Sequence, residues 1–544
     1  MVQISQDITR IISEEFDLDI IPELTRPDAQ FGDYTTNIAL KLAKQLGQNP
    51  RVLAEKLAEK LAETGEYHSI EVAGPGFVNI TLKNEALLAL TRKEPTPVRP
   101  GQSVVIETNN PNPFKAMHVG HAFNAILADT IANLLAVGGA SVRRVSYHGD
   151  VGLHVGKSMY SLLRYAEGDI EKLNAIPEVE RNTFMSKMYA EGSAAYKEDE
   201  TAKQAINVLA EQSFTLDDPL YKEIYELCKT WSFEQIDALV ARLGNQPTSA
   251  RFLESLADQK GVDTVKANTP EVFQESNGAY IFEGSKHGSF DNAFVSSTGR
   301  GLYAARDLGL MQLKQDLFSP DKSYIVTAEE QRDYFKGVIA AADLAIPALK
   351  GVTVNISHGT VKLSTGKMSS RSGEVLEVAW LFDQFAEAIL ARGGEPADEI
   401  IAGALRYQFL RVKIGGDVIF DVEEAVSLTG NTGSYLQYAH ARARRILEKF
   451  ETQPTLGDVR PEDRALVRKL GEYHEIINLA TVSLEPHHIC NYLFELAQEF
   501  NRYYEKNHVI GSDYEYHRAG LVALYADTLR AGLMVLGITA PDTM

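Results

Sequence analysis

Val104-Val105-Ile106, followed by the loop Asn109-Asn110-Pro111-Asn112-Pro113-Phe114-Lys115-Ala116-Met117-His118-Val119-Gly120-His121, decides the fold. Three β-branched residues in a row, without alternation, read as a strand buried on both faces. Beyond the loop, Phe123, Ile126, Leu127, Ile131, Leu134 and Leu135 recur at helical spacing. Gly138-Gly139 stops that helix, and Val142 to Tyr147 gives a second strand. Strand, loop, helix, glycine stop and strand make a βαβ unit, and hence a Rossmann-type, doubly wound parallel sheet. A mostly helical insertion is expected over about 156–274, with the sheet resuming at Ala279–Phe282, Tyr324–Thr327 and Val352–Ile356.

Outward from this unit the pattern changes twice. Lys93-Glu94-Pro95-Thr96-Pro97-Val98-Arg99-Pro100 is rich in proline and reads as a linker. Before it, a helix from Pro50 to Leu61 and strand pieces at Ile70–Val72 and Phe77–Leu82 predict a small α+β module. From Leu376 onward nearly every segment is an amphipathic helix, which predicts a C-terminal α-helical bundle. The expected domains are therefore 1–95, 96–375 and 376–544.

Composition limits the alternatives. At 544 residues the chain is too long for one core, and 44% hydrophobic with 24% charged residues describes a globular protein. The apolar stretch Ala125–Val137 is interrupted by Asp129 and Asn133, so no membrane span is expected. The N-terminal segment carries Asp7, Glu14, Glu15 and Asp17, unlike a secretory signal, and Cys228 and Cys490 are too few for a disulfide framework or zinc cluster. The expectation is a cytoplasmic protein with no metal site. A net charge of −20 argues against a non-specific nucleic-acid coat, and residues 381–544, with 16 basic and 24 acidic side chains, hide no basic domain. A nucleic-acid partner would have to be met by local patches and shape.

Two loops carry chemistry. His118-Val119-Gly120-His121 falls at a helix N-terminus after a parallel strand, where backbone N–H groups and the dipole favour anions. The two histidines can face one phosphate together, and Gly120 admits close approach; alone, the same four residues read better as a plain helix start. Ser364-Thr365-Gly366-Lys367-Met368-Ser369-Ser370-Arg371-Ser372-Gly373 is a basic loop bounded by glycine and serine, whose cations could meet developing charge; alone it is equally a solvated turn.

Together, His-x-Gly-His and Lys-Met-Ser-Ser resemble the two signatures of class I aminoacyl-tRNA synthetases. Phe31-Gly32-Asp33-Tyr34, Ala73-Gly74-Pro75-Gly76-Phe77, Ala404-Leu405-Arg406-Tyr407, the run from Gly430 to Arg442 and the ending from Leu536 to Met544 narrow the resemblance to the arginyl-tRNA synthetases. That family makes arginyl-adenylate from L-arginine and ATP, then transfers the arginyl group to the 3′ terminal adenosine of its tRNA. The resemblance implies that His118, Gly120, His121, Lys367, Met368, Ser369 and Ser370 hold ATP, with His118, His121 and Lys367 stabilising the transition state. The class pattern has a second lysine where Ser370 stands, and Lys115 is the expected replacement. Asn112, Tyr303, Asp307, Gln331 and Glu254 would read arginine, a planar fork of donors that needs carboxylate and carbonyl partners.

Tyr435, Tyr438, Arg442, Tyr503, Tyr504 and Met544 would meet tRNA, although tyrosines on helices are also common core residues. By the same resemblance Phe31, Asn37 and Phe77 would touch the tRNA elbow, Phe77 reading better as core. Mg2+ would accompany ATP without a dedicated protein site, and a monomer is the implied state. His154 stands where the family pattern Asp-x-Gly-x-Gln has glutamine, so the resemblance assigns it no role. A synthetase for another amino acid, a nucleotidylyltransferase and a non-catalytic tRNA-binding relative are the competing readings. The amino acid that raises the melting temperature separates the enzymes.

Overall fold

In the computed structural model, residues 2–364, 376–452 and 454–544 are described. The chain divides into two compact units. The larger comprises Thr96–Arg442, Ile477–Phe494 and Leu529–Met544; the smaller comprises Met1–Pro95, Ala443–Ile476 and Glu495–Thr528.

The larger unit is built on β1 (Ser103–Asn109), α1 (Val119–Val137), β2 (Ser141–His148), α2 (Leu153–Ala166), α3 (Pro219–Arg242), β3 (Ala250–Leu253), α4 (Glu254–Ala267), α5 (Tyr303–Phe318), β4 (Lys322–Ala328), α6 (Arg332–Ala345), β5 (Thr353–His358) and α7 (Asp398–Leu410). Its sheet runs β5-β4-β1-β2-β3, with every neighbouring pair parallel. The order reverses between β1 and β4, and in such sheets ligands bind at the carboxyl ends of the strands flanking that point. The doubly wound α/β expectation therefore holds.

Two sequence expectations are corrected. Ala279–Phe282 does not rejoin the parallel sheet; it is the middle strand of a separate antiparallel sheet with Gln274–Ser276 and Asn292–Val295. The reason is local: Asn277 and Gly278 take φ of 51° and 78°, the left-handed pair that a two-residue hairpin requires. The helical insertion also ends sooner than residue 274, because Ala250–Leu253 forms the edge strand β3 beside β2. Four residues are too short a run to show a period.

Helix α1 has the length and apolarity of a membrane span, yet 72% of that window is buried inside the protein. Its Asp129 is buried and receives two arginines. Arg406 on α7, 0% exposed, donates from Nη2 to Asp129 Oδ2 at 2.9 Å and Thr130 Oγ1 at 3.1 Å. Its Nε reaches the Leu536 carbonyl at 2.9 Å, and Nη1 reaches the Leu243 carbonyl and Asn245 Oδ1 at 3.0 and 2.8 Å. All five guanidinium donors are thus satisfied, the condition under which a charge can be buried. Asp129 Oδ1 takes Arg144 Nε at 2.9 Å. Gly537, at φ 71°, is required beside this cluster, since a Cβ there would lie 2.2 Å from Arg406 Nη2.

In the smaller unit a three-stranded antiparallel sheet of Tyr34–Thr36, Phe77–Leu82 and Tyr67–Ala73 packs with helices. The Phe31-Gly-Asp-Tyr motif anchors it. Asp33, 2% exposed, accepts from the Leu82 N–H at 2.8 Å and Arg464 Nη2 at 2.6 Å. Tyr34 and Arg26 both bond Glu475, Arg26 through Nε at 2.8 Å. Phe77 is 39% exposed rather than core, and Phe31 is 49% exposed.

Replacing Arg406 with leucine strands half of the Asp129 charge and three carbonyl or amide acceptors. The expected loss is about 3 kcal/mol or more, as for other broken buried ion pairs, read as a lower urea midpoint for the larger unit.

Candidate active site

A cavity of about 740 Å³ opens at the carboxyl ends of β1 and β4. His118, Gly120 and His121 line it together with Asn112, Glu254, Tyr303, Asp307 and Gln331, so eight of the residues singled out in the sequence meet in one place.

The anion side is the start of α1. His118 is its N-cap: Nδ1 of His118 accepts from the His121 N–H, and Nδ1 of His121 accepts from the His118 N–H, both at 3.3 Å. The rings stack with centroids 3.6 Å apart. Burial, reinforced by the Lys115 ammonium, pushes His118 down to about 4. Burial and the neighbouring His118 and Lys115 hold His121 well below the usual histidine range. A neutral imidazole that accepts at Nδ1 carries its proton at Nε2. The reciprocal cap therefore selects the tautomer in which both Nε2–H groups are donors. Gly120 leaves room for the stacked rings, because a Cβ would sit at a tight 3.1 Å from the His118 ring.

The loop before α1 is held by the helical insertion. Phe114 is buried at φ 63°, an uncommon backbone state for a bulky residue. Its N–H donates to Ser232 Oγ at 3.0 Å, its carbonyl accepts from Ser158 at 2.8 Å, and its ring stacks on Tyr225 at 5.3 Å. Helices α2 and α3 thereby clamp the loop. His148 donates from Nδ1 to the Pro111 carbonyl at 2.6 Å, and Asn112 Oδ1 accepts from the Gly149 N–H at 3.0 Å. His154, left without a role by the sequence pattern, donates from Nε2 to the Gly149 carbonyl at 2.7 Å and closes the same turn. Lys115 is half-buried outside the lining residues, close enough for its charge to act on both site histidines.

Lys367, Met368, Ser369 and Ser370 lie outside the described residues. The chain on their C-terminal side is tied to the histidine turn. Val119 N–H donates to the Leu376 carbonyl and Val378 N–H to the Met117 carbonyl, each at 2.9 Å, with an antiparallel bridge between His118 and Glu377.

The opposite wall is acidic. Asp307 accepts from the Tyr334 hydroxyl at 2.5 Å. Burial and the neighbouring carboxylates Glu107 and Glu254 push it up to about 7. Glu254, 9% exposed, is raised by burial and bonds Arg306, which also reaches Asp258 at 2.9 Å. Tyr303 and Gln331 stand on the exposed rim, Tyr303 on the first turn of α5. A position for Gly149 is dictated by this crowding: a Cβ would come within 2.5 Å of Glu254 Oε2.

Sequence reasoning passed over Glu107, Arg306 and Tyr334. Glu107, 2% exposed, lines the cavity near the carboxyl end of β1, with Asn110 donating to Oε2 at 2.9 Å. A carboxylate closing an otherwise apolar buried strand was the available signal.

Of the tRNA candidates in the larger unit, Tyr438 is 39% exposed and Met544 41% exposed. Arg442 is exposed, and Tyr435 is half-buried edge-on to Phe494 at 6.0 Å. In the smaller unit Tyr504 is half-buried beside Phe500. Tyr503 is corrected to a core residue: it is 4% exposed and donates its hydroxyl to Asp463 at 3.0 Å, so it offers no open ring face.

Three domain models match the chain. The arginyl tRNA synthetase N-terminal domain model matches residues 2–82. The class I (R) tRNA synthetase catalytic domain matches 84–400, and the DALR anticodon binding domain matches 436–544. The chain belongs to the class I aminoacyl-tRNA synthetases. Within that class it falls in the arginyl family. It is 29% identical over 553 residues to an arginine–tRNA ligase of Thermobifida fusca, covering 95% of this chain and 94% of that one. It is likewise 29% identical to the arginine–tRNA ligase of Chlamydia caviae, over 96% of this chain. The fold matches the Thermus thermophilus arginyl-tRNA synthetase over all of both chains, with TM-score 0.79 at 24% identity. The Plasmodium falciparum arginyl-tRNA synthetase superposes with the same TM-score at 17% identity.

The site histidines predict an acid limit on stability. His118, His148 and His154 titrate near 4 when folded and near 6.5 when unfolded. The unfolded chain therefore binds more protons between these values, and stability falls as pH drops from about 6.5 to about 4. Thermal denaturation across pH 4–8 checks this. His154→Gln, which keeps a donor without a titrating ring, flattens part of the slope.

Proposed function

We propose that this chain is an arginine–tRNA ligase whose cavity joins ATP and L-arginine before the arginyl group passes to tRNA. One observation carries the reading: a helix N-terminus with two neutral histidine donors faces a buried acidic wall within one cavity. An anion suits the first surface and a forked cation the second.

In this reading the arginine carboxylate attacks the α-phosphorus of ATP. The bond to the bridging oxygen breaks and pyrophosphate leaves. A ribose hydroxyl of the terminal tRNA adenosine then attacks the adenylate carbonyl, and AMP leaves. The protein positions the reactants and neutralises charge. The Nε2–H groups of His118 and His121 donate to phosphate oxygens, with Lys115 and Lys367 adding positive charge. Met368, Ser369 and Ser370 would complete the nucleotide contacts. Asp307 and Glu107 take the guanidinium, Tyr303 closes over it, and Asn112, Gln331 and Glu254 meet the α-groups. Mg2+ accompanies the triphosphate. Tyr435, Tyr438, Arg442, Tyr504 and Met544 contact tRNA, the exposed rings stacking bases at about 1–3 kcal/mol each. We place the protein in the cytoplasm as a monomer, with domains at 1–95, 96–375 and 376–544.

Charging purified tRNA with each of twenty labelled amino acids tests the reading. Arginine alone should be incorporated, and a different amino acid would end the proposal. Adenylate formation should require bound tRNA, so arginine-dependent ATP–pyrophosphate exchange is expected only in its presence. Lys115→Ala should lower that exchange about 10²-fold, the usual effect of removing one transition-state donor; a near-normal rate would remove Lys115 from the mechanism.

A further inference from the structure

Helix α5 places Tyr303, Asp307, Leu310 and Lys314 on successive turns of one face. The first three line the cavity, whereas Lys314 is 1% exposed and donates from Nζ to Glu107 Oε1 at 2.6 Å. The nearby charges are arranged in sets. Arg306 is shared by Glu254 and Asp258. Lys314 is matched to Glu107, leaving Asp307 with the Tyr334 hydroxyl as its donor. The titratable groups that share this region are Asp307 and Arg306 from α5, Tyr147 from β2, Glu254 from α4 and Tyr334 from α6.

We propose that Lys314 is a positioning residue for the amino acid's guanidinium, acting through Glu107, whose carboxylate it holds oriented in the wall of the cavity. The proposal rests on the arginine reading above. Two buried carboxylates side by side resist joint ionisation. A buried ammonium in contact with one removes that conflict, so Glu107 and Lys314 form a neutral pair. Of the three lining carboxylates, Glu254 keeps Arg306 and Glu107 keeps Lys314, so the incoming guanidinium meets Asp307 as the one without a cation of its own. Because Asp307 titrates near 7, arginine binding should release at most one proton, and only on the acid side. Replacing Lys314 by a neutral side chain would leave Glu107 buried without its cation. It would then take up a proton of its own, and binding would have to expel two.

Calorimetric titration of L-arginine into the full chain, in buffers of different ionisation enthalpy from pH 6 to 8.5, reads both affinity and protons released. For the unaltered protein the expectation is a tenfold affinity gain per pH unit below about 7, levelling above, with release approaching one proton. Lys314→Met should approach two protons, level off at least about one pH unit higher, and lose affinity most at acid pH. Lys314→Arg should restore the one-proton profile. A Lys314→Met profile with the original proton count and midpoint, or an equal loss at every pH, overturns the proposal. Should Lys314→Met fail to fold, Glu107→Gln/Lys314→Met removes both charges and should bind weakly at every pH with one proton released; two protons there would overturn it. If the unaltered protein binds no arginine at any pH, the arginine reading itself fails.

Discussion

The larger unit depends on the burial of one ion pair. Arg406 and Asp129 are both fully excluded from solvent, and the pairing offsets the cost of burying each charge, Arg144 adding a second cation on Asp129. The guanidinium spends its remaining donors on Leu243, Asn245, Thr130 and Leu536, so one side chain gathers the central sheet helix, the turn after α3 and the end of the chain. An apolar contact would hold these segments without specifying their register. A planar fork with five donors accepts one arrangement, and Gly537 is the residue that leaves room for it.

That fixed helix carries the chemistry at its other end. The N-terminus of α1 supplies oriented N–H groups, and the histidine pair extends them by two more donors once burial keeps both rings neutral. The wall opposite is built by the reverse tactic. Burial, with Glu107 and Glu254 nearby, pushes Asp307 up to about 7, which makes a cation a better partner than water. A site with opposite electrical preferences at its two ends sorts an anion to one end and a cation to the other by charge before shape is read.

Much of this was legible along the chain. The unbroken Val104–Ile106 run, the helical spacing after His121 and the glycine stop identified the parallel sheet, because such patterns depend on neighbours a few residues apart. The histidine turn was likewise a local signal, whereas Tyr303 and Asp307 entered only through the family resemblance. Asn277-Gly278 was readable and overlooked, since a hairpin rule competes poorly with an expectation that a known sheet must resume. Tyr503 and Phe77 exchanged places, one entering the core and the other reaching solvent, because a single aromatic carries no mark of which neighbours will cover it.

Residue order by itself determined the kinds of element, the turn that can seat an anion and the family to which the chain belongs, since backbone geometry and short-range spacing obey rules that act within a few residues. Tertiary structure alone decided which charges share a cavity. Glu107 meets Lys314 from 207 positions away, and Arg406 meets Asp129 across 277. The energy of a buried charge depends on the partner brought beside it, and folding, not spacing, selects that partner.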